Sequence, residues 1–196
     1  MLISIEGCIG VGKSTVARGL ATHRKSEVLL EDFGSNPFLS SFSVNPAANA
    51  VETEFGFLLL HFHQLKQFRH HAREIIADFH LGKDLIYAEL NLPDARWRQS
   101  FERLYGLCES EAESPGLLIY LAGEIDLVMA RIEGRGRDIE LKLPVAYYES
   151  VNDAYETYYQ VYRGKKLRRP MAEWDFIRDP LRYRDLSALA DEVMST

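Results

Sequence analysis

The sequence predicts an α/β fold in which a parallel five-stranded sheet is covered by helices on both faces. Short apolar runs, typical of buried strands, alternate along the chain with longer segments whose apolar residues recur at helical spacing. Strands that alternate with helices form parallel sheets, because each crossover helix packs on one face of the sheet. The predicted strands are residues 2–5, 28–30, 75–77, 117–121 and a stretch within 166–173.

Segments with the helical pattern lie between and after these strands. The predicted helices are residues 13–23, 50–72, 94–108, 124–132, 144–162 and 185–194. In the second of these helices, Phe55, Leu58 and Phe62 recur at helical spacing and predict a buried face. The last strand is expected at an edge of the sheet, because Pro170 lacks the N–H group that a central strand must donate.

The bulk composition fits one globular domain that spans all 196 residues. The net charge of −6 argues against a nucleic acid polymer as partner, because the phosphate backbone attracts basic surfaces. No apolar run approaches the ~20 residues that a membrane-spanning helix needs, and the N-terminus lacks a signal-peptide pattern. Cys8 and Cys108 have neither metal-site nor disulfide-scaffold spacing. We therefore expect no membrane partner and a cytoplasmic location.

A glycine-rich segment after the first strand matches the phosphate-binding pattern GxxxxGK[ST]. It covers residues 7–15 and leads into the first predicted helix. Glycines let the backbone turn its N–H groups toward a phosphate, and the helix N-terminus adds positive potential. Lys13 would contact the β- and γ-phosphates of ATP, and Ser14 would be a ligand of Mg²⁺. The predicted ATP-binding residues of this phosphate loop are Gly7, Gly10, Val11, Gly12, Lys13, Ser14 and Thr15.

Three arginines within seven residues follow the fourth strand: Arg131, Arg135 and Arg137. Guanidinium groups match phosphate oxygens and stabilise the charge that develops during phosphoryl transfer. A solvated basic helix end would give the same pattern, but the phosphate loop favours a lid that closes over ATP. We define residues 131–143 as the lid segment. The NKxD and DxxG motifs of GTPases are absent from the sequence, which favours a small-molecule kinase.

Acidic side chains end two of the predicted strands, where open parallel sheets bind their ligands. Glu31 follows the second strand and could accept the proton of an attacking hydroxyl. Asp78 follows the third strand and could hold Mg²⁺, directly or through water. Strand-end charges that face solvent would give the same pattern, so the residues alone leave both interpretations open.

Together these segments resemble the deoxynucleoside kinase family over most of the chain. The opening SIEGCIGVGKST is similar to the family's SIEGNIGxGKST, with Cys8 in place of Asn. EDFGSNPFL (31–39) resembles its Glu-Pro…Asn-Pro-Tyr-Leu segment, and TEFGFL (53–58) a bacterial Thr-Glu-Met-Phe-Phe-Leu helix. DFHLGKDLIYA (78–88) is similar to Asp-Tyr-His…Leu-Ile-Phe-Ala of bacterial deoxyguanosine and deoxyadenosine kinases. The lid segment resembles RIxxRGRxxE, and WDFI (174–177) resembles Leu-Asp-Phe-Val.

The resemblance implies a role for each residue at a matching position. Glu31 would be the catalytic base, Glu54 would pair with the nucleobase, and Glu140 would contact the sugar 3′-hydroxyl. The substrate-binding residues are then Glu54, His61, Asp78, Tyr87 and Glu140, and the catalytic residues are Glu31, Lys13, Arg131, Arg135 and Arg137. Asp175 and Phe176 would lie near the adenine of ATP, and Ser14 and Asp78 would hold the metal.

The sequence also departs from the family pattern. The Glu-Arg-Ser motif of animal members is missing, and Phe79 stands near the position of its arginine. Ser43 replaces a tyrosine that commonly contacts the sugar, and His61 replaces an arginine of the base-binding helix. These departures concern the nucleobase and the sugar, whereas the reaction type implied by the resemblance stays the same.

The resemblance implies ATP-dependent phosphorylation of the 5′-hydroxyl of a deoxynucleoside, with Mg²⁺ and with a homodimer as the assembly. The bacterial-type match slightly favours purine deoxynucleosides. Two alternatives stay open. A nucleoside monophosphate kinase of the thymidylate type would need arginine outside the lid segment, and residues 36–70 hold only Arg69. A non-catalytic ATP-binding sensor module would bind ATP but lack a site for an acceptor.

Overall fold

The five strands of the described chain form one parallel sheet. The computed structural model describes residues 1–69, 73–174, 176 and 179–196. The strands are β1 (Leu2–Glu6), β2 (Glu27–Leu29), β3 (Ile75–Ala77), β4 (Pro115–Ala122) and β5 (Lys166–Pro170). Their order across the sheet is β2-β3-β1-β4-β5, and every neighbouring pair is parallel. The predicted parallel five-stranded sheet is therefore confirmed, and β5 occupies an edge as Pro170 required.

Helices connect the strands and pack on the sheet. They are α1 (Lys13–Arg24), α2 (Leu39–Val44), α3 (Pro46–Lys66), α4 (Gly82–Asn91), α5 (Ala95–Glu111), α6 (Ile125–Arg135), α7 (Asp138–Leu141), α8 (Val145–Val161) and α9 (Arg182–Ser195). A short 3₁₀ helix covers Phe33–Ser35. None of the helices in the described chain is long and apolar enough to span a membrane.

The buried apolar residues form two clusters on opposite faces of the sheet. Successive side chains of a strand point to opposite faces, so Leu2 and Ile3 belong to different clusters. The larger cluster joins Ile3 and β4 to α1, α6, α8 and α9. The smaller cluster joins Leu2 and β3 to α3, α4 and α5. Helices thus cover both faces of the sheet, as predicted.

Helix α3 differs from its predicted bounds at both ends. It begins at Pro46, because the side chain of Asn45 accepts a hydrogen bond from the backbone N–H of Ala48 and caps the helix. The prediction that this helix continues to residue 72 is wrong in residues 67–69, which form turns after Lys66, and residues 70–72 lie outside the described residues. The apolar pattern therefore extended beyond the helix that it identified.

The sequence pattern did not reveal helix α4. Its residues Lys83 and Asp84 are both buried, so the charged residues of this helix do not mark a solvated face. Gly82 at its first position also lowers the intrinsic helix propensity. This helix follows β3 closely and brings buried charges to the carboxyl end of the sheet.

Candidate active site

A cavity of about 770 Å³ opens at the carboxyl ends of β1, β2 and β3. It is lined by the phosphate loop, by α3 and α4, and by the lid segment. The structure brings most of the predicted site residues together around it. Those that line it are Gly10, Gly12, Lys13, Ser14, Thr15, Glu31, Glu54, His61, Asp78, Tyr87, Arg131, Arg135, Arg137, Glu140 and Phe176. Asp175 lies outside the described residues.

The phosphate loop is held in place by its own backbone and by Lys13. Gly7 and Gly12 have φ values of 144° and 106°, in the left-handed region that other residues rarely adopt. A Cβ at Gly7 would also lie 2.5 Å from the carbonyl oxygen of Leu121. The Lys13 ammonium group donates to the carbonyl oxygens of Gly7 at 2.7 Å and of Cys8 at 3.1 Å. These bonds fold the lysine over the loop, whose residue Val11 is buried in the core.

Asp78 joins the phosphate loop to the segment that carries Glu31. Its carboxylate accepts hydrogen bonds from the Ser14 hydroxyl at 2.5 Å and from the Glu31 backbone N–H at 2.7 Å. The Ser14 hydroxyl and the Asp78 carboxylate are thus neighbouring oxygen donors. Mg²⁺ commonly takes one or two such protein oxygens and completes its shell with water and substrate phosphates, so this pair fits the ion.

Glu31 stands between two cationic side chains. One carboxylate oxygen lies 2.7 Å from the Lys83 ammonium group, and the other lies 3.2 Å from Nε2 of His61. Burial by itself raises the pKa of a carboxyl group, but the charge of Lys83 and the hydrogen bond from His61 outweigh it. The pKa of Glu31 is therefore held well below its usual range, and the side chain is a carboxylate at neutral pH.

His61 is fixed on both sides of its ring. Nδ1 lies 2.8 Å from Asp84, and the ring packs against Phe57 and Phe79 at centroid distances of 5.5 and 4.9 Å. Burial lowers the pKa of a histidine, but the charge of Asp84 and its hydrogen bond outweigh it and raise the pKa of His61 to about 9. His61 is therefore an imidazolium at neutral pH, with both N–H groups directed at carboxylates.

Glu54 lies in a different, less charged part of the cavity. It is 3% exposed, and one of its oxygens accepts a 2.8 Å hydrogen bond from the Asn91 side chain. The Asn91 amide also lies 3.2 Å from the hydroxyl of Tyr147. Burial raises the pKa of Glu54 to about 8. The protonated carboxyl group can both donate and accept hydrogen bonds, which suits the edge of a nucleobase.

The lid segment contacts the phosphate loop and the Glu31 side of the cavity. Arg131 donates to the carbonyl oxygen of Val11. Arg135 and Arg137 both pair with Glu140, at 2.5 and 3.3 Å. The Arg137 guanidinium group also lies 4.4 Å from the ring centroid of Phe33. The predicted arginines therefore face the cavity, and Glu140 is engaged by two of them.

The arrangement combines the phosphate loop, a buried carboxylate and the arginines of the lid segment around one cavity. A sequence model of the family described as "Deoxynucleoside kinase" matches residues 3–192. The chain belongs to the deoxynucleoside kinase family. It is therefore a kinase, and deoxynucleosides are the substrates that it phosphorylates.

Members of the deoxynucleoside kinase family with similar sequences come from several bacteria. The chain is 31% identical over 158 residues to a deoxyguanosine kinase of Bacillus subtilis (strain 168), a match that covers 79% of this chain and 76% of the relative. It is 28% identical over 215 residues to a deoxyadenosine kinase of Lactobacillus acidophilus, covering 98% and 96%.

Two solved structures agree with the assignment of the chain to this family. The deoxyadenosine kinase from M. mycoides with the products dCMP and a flexible dCDP has a TM-score of 0.85 and 25% identity to this chain. The match covers 98% of this chain and 100% of that one. The same enzyme with bound dATP has a TM-score of 0.82, with both chains covered completely.

Family membership decides between the alternatives that the sequence left open. A sensor without a reaction does not agree with a deoxynucleoside kinase. A monophosphate kinase would need arginine on the acceptor side, but Arg69 pairs with Glu111 of α5 at the protein surface. The expected deoxynucleoside kinase is thus confirmed as the family and the enzyme type.

The sequence analysis of this deoxynucleoside kinase gave no role to several polar residues of the site. Among them are Lys83, Asp84 and Tyr147, which line the cavity, and Asn91, which holds Glu54. The first two lie within the segment 78–88, between the apolar residues Leu81 and Leu85. Adjacent opposite charges inside an apolar stretch are a signal for buried charges, because isolated ones are costly to bury. Asn91 and Tyr147 carry no such signal, since their shared contact joins α4 to α8.

Proposed function

We propose that this enzyme transfers the γ-phosphoryl group of ATP to the 5′-hydroxyl of a purine deoxynucleoside. The observation that carries the proposal is the position of Glu31. Its carboxylate lies in the same cavity as Lys13 and Ser14, and the Ser14–Asp78 bond ties its backbone to the phosphate loop. A base and a phosphate site that share one support can hold an acceptor hydroxyl in line with a γ-phosphate.

The ATP side of the proposal rests on the phosphate loop and on an aromatic group at the cavity wall. Backbone N–H groups of residues 10–15 would bind the phosphates, and the Lys13 ammonium group would turn from the loop carbonyls to bind them as well. The ring centroid of Phe176 lies 4.9 Å from that of Tyr183 and 5.7 Å from that of Trp174. Phe176 would give the adenine of ATP an aromatic neighbour. The M. mycoides enzyme was solved with bound dATP, which supports a purine nucleotide as a ligand of this fold.

Mg²⁺ would be held by Ser14 and Asp78, and when bound it would offset the charge of the β- and γ-phosphates. The chain itself supplies the other groups. Glu31 takes the proton of the 5′-hydroxyl while the new O–P bond forms and the bond from the γ-phosphorus to the β-phosphate oxygen breaks. ADP leaves, and the arginines of the lid segment stabilise the charge in transit.

The acceptor deoxynucleoside would lie along α3, with its nucleobase beside Glu54 and with Tyr87 on the cavity wall. The protonated Glu54 offers one donor and one acceptor, and Asn91 fixes its orientation. Glu140 would exchange one of its arginine partners for the sugar 3′-hydroxyl. The names of the Bacillus and Lactobacillus relatives, which are deoxyguanosine and deoxyadenosine kinases, support a purine base.

We further propose that residues 1–196 act as a single domain, that two copies form a homodimer, and that the enzyme works in the cytoplasm. Leu59 on α3 and Leu107 on α5 are exposed apolar side chains on helices that pack together, and they could be covered by a second copy. Cys8 and Cys108 are free and buried, which suits a reducing compartment.

The experiment that tests the proposed function is an acceptor panel. ADP release from Mg-ATP is measured with each of the four deoxynucleosides, with their monophosphates and without an acceptor. We expect ADP release above background with deoxyguanosine or deoxyadenosine. With the purine monophosphates, and with ATP alone, we expect only background release. Turnover only with a monophosphate, or release that no acceptor stimulates, would contradict the proposal.

A further inference from the structure

Lys83 is a buried cation of the cavity to which the sequence assigned no role. It lies at the second position of α4, is 6% exposed, and reaches the cavity beside Tyr87. Its ammonium group is 2.7 Å from Oε2 of Glu31. An ammonium group is costly to bury, so the position of Lys83 beside Glu31, the proposed base, indicates a role in the reaction as well as in packing.

Each carboxylate oxygen of Glu31 accepts a hydrogen bond from a charged side chain, and this arrangement hinders Glu31 from acting as a base. An acceptor hydroxyl has to donate to one of these two oxygens, and each of them already accepts a hydrogen bond from a charged group. The hydroxyl gains a vacant oxygen when one of the two donors moves away. The contacts of His61 and Lys83 indicate which donor that is.

His61 cannot leave without breaking a second buried contact. Its ring is 1% exposed, its other nitrogen is bonded to Asp84, and it packs against the rings of Phe57 and Phe79. Lys83 has a flexible four-carbon side chain, and a point charge with three donors that can change partners without a loss of geometry. Lys83 is therefore the donor that can move.

A γ-phosphate placed on the phosphate loop would compete with Glu31 for this ammonium group. It carries more negative charge than a carboxylate and adds acceptor oxygens. Lys83 lines the same cavity as Gly12, Lys13 and Ser14 of the phosphate loop. Consistent with this position, the charge of Lys83, after burial, lowers the pKa of Lys13. Charged groups near Glu31 include Lys83, His61, Lys13 and Glu6, with Asp78 on its backbone N–H and Asp84 behind His61.

We propose that Lys83 is a catalytic residue that leaves Glu31 when both substrates are bound and binds the phosphoryl group in transfer. The exchange frees Glu31 to take the 5′-hydroxyl proton as the O–P bond forms and ADP departs. After transfer, Lys83 holds the 5′-phosphate of the product until that product leaves. The inference rests on the proposed function. It adds Lys83 to the proposed mechanism as a second mobile cation besides Lys13.

The test compares the binding of a nucleoside and of its 5′-monophosphate to one set of variants. Deoxyguanosine and dGMP, with deoxyadenosine and dAMP in parallel, are titrated by calorimetry into the wild type and into Lys83→Met. Lys83→Arg keeps the cation. Lys66→Met, on the exposed face of α3, is the matched control for the removal of a lysine charge. The turnover number and the KM values are measured for the same proteins.

We expect Lys83→Met to weaken monophosphate binding by about 10-fold while nucleoside binding changes by less than about twofold, because only the phosphate loses a charged partner. The turnover number should fall by about 100-fold with smaller changes in KM. Lys83→Arg should keep most of the monophosphate affinity, and Lys66→Met should behave like the wild type.

Equal weakening of both ligands by Lys83→Met, or an unchanged turnover number, would overturn the inference. If thermal unfolding shows that Lys83→Met is not folded, Lys83→Gln decides by the same comparison. These outcomes concern Lys83 alone. A wild-type protein that turns over none of the deoxynucleosides would instead contradict the proposed function.

Discussion

The carboxylate of Asp78 accepts a 2.5 Å hydrogen bond from the hydroxyl of Ser14, and this bond links the end of β3 to the first turn of α1. The other oxygen of Asp78 holds the backbone N–H of Glu31. One side chain thus sets the distance between the phosphate loop and the proposed base. Its replacement should affect catalysis more than folding.

Asp78→Asn should raise the KM for Mg-ATP by about 10- to 100-fold, because the amide is a poorer metal ligand and orients Ser14 less well. Steady-state kinetics at saturating deoxynucleoside measure this change. Asp153→Asn, an exposed change on α8, is the matched control and should leave the KM unchanged. An Asp78→Asn enzyme with the wild-type KM for Mg-ATP would contradict the assignment of Asp78 to the metal site.

Glu31→Gln should lower the turnover number by about 10²- to 10⁴-fold, because an amide cannot take the proton of the 5′-hydroxyl. The affinity for ATP should change little, since the hydrogen bonds that link Glu31 to the phosphate loop through Asp78 use its backbone N–H and stay in place. Single-turnover kinetics and ATP titration provide the two measurements. Glu192→Gln on the exposed surface of α9 is the control. A Glu31→Gln enzyme of normal activity would rule Glu31 out as the base.

Glu54 should make the stability of the protein depend on pH. Its pKa is about 8 in the folded protein and 4.5 by the reference value, so between these pH values the folded state binds a proton that the unfolded state lacks. Stability should therefore fall as the pH rises through this window. Glu54→Gln removes the effect, and its Tm relative to the wild type should be higher at pH 8.5 than at pH 5.5.

Differential scanning calorimetry at both pH values measures this difference, with Glu52→Gln, exposed on the same helix, as the control. The Glu6 carboxyl, whose pKa burial raises to about 7, contributes equally to the wild type and the variant and cancels from the comparison. A difference in Tm that is the same at both pH values would contradict a protonated Glu54.

His61 should also make the stability of the protein fall as the pH rises, but in a higher pH window. Its pKa is raised from 6.5 to about 9, so the stabilisation is complete below pH 6.5 and is lost as the pH rises through about 9. His61→Gln should be destabilised by about 3–5 kcal/mol at pH 6, because the variant removes the cation that is hydrogen-bonded to the buried carboxylate of Asp84. The deficit should shrink above pH 9.

Urea unfolding at pH 6 and pH 10 measures both values. His63→Gln, exposed on the same helix, is the control and should match the wild type at both pH values. A deficit of His61→Gln that is as large at pH 10 as at pH 6 would show that packing, and not charge, makes the contribution of His61.

The parts of the site that the sequence predicts are those whose pattern is local. The phosphate loop is a contiguous motif between a strand and a helix, and Glu31 and Asp78 follow strands at the edge where parallel sheets bind ligands. The sheet and the edge position of β5 follow from the same local patterns. The charge relations depend on contacts distant in sequence: Lys83 meets Glu31 across 52 positions, and His61 meets Asp84 across 23.

The missed helix α4 shows why such contacts escape a sequence pattern. Its buried charges remove the contrast between polar and apolar faces, so no periodicity marks the helix. The end of α3 shows the reverse error, since apolar residues continue past Lys66 into turns that also pack on the core. In both places the environment of the side chain, and not its type, decided the structure.

The central claim, transfer to a 5′-hydroxyl, is tested most directly by two acceptors that differ in that group alone. Transfer of ³²P from γ-labelled ATP is measured with deoxyguanosine and with 2′,5′-dideoxyguanosine, and with the adenine pair in parallel. Labelled 5′-monophosphate should form from at least one deoxynucleoside, and no labelled product should form from its 5′-deoxy analogue. Equal labelling of the analogue, or no labelling of either deoxynucleoside, would contradict the proposed reaction.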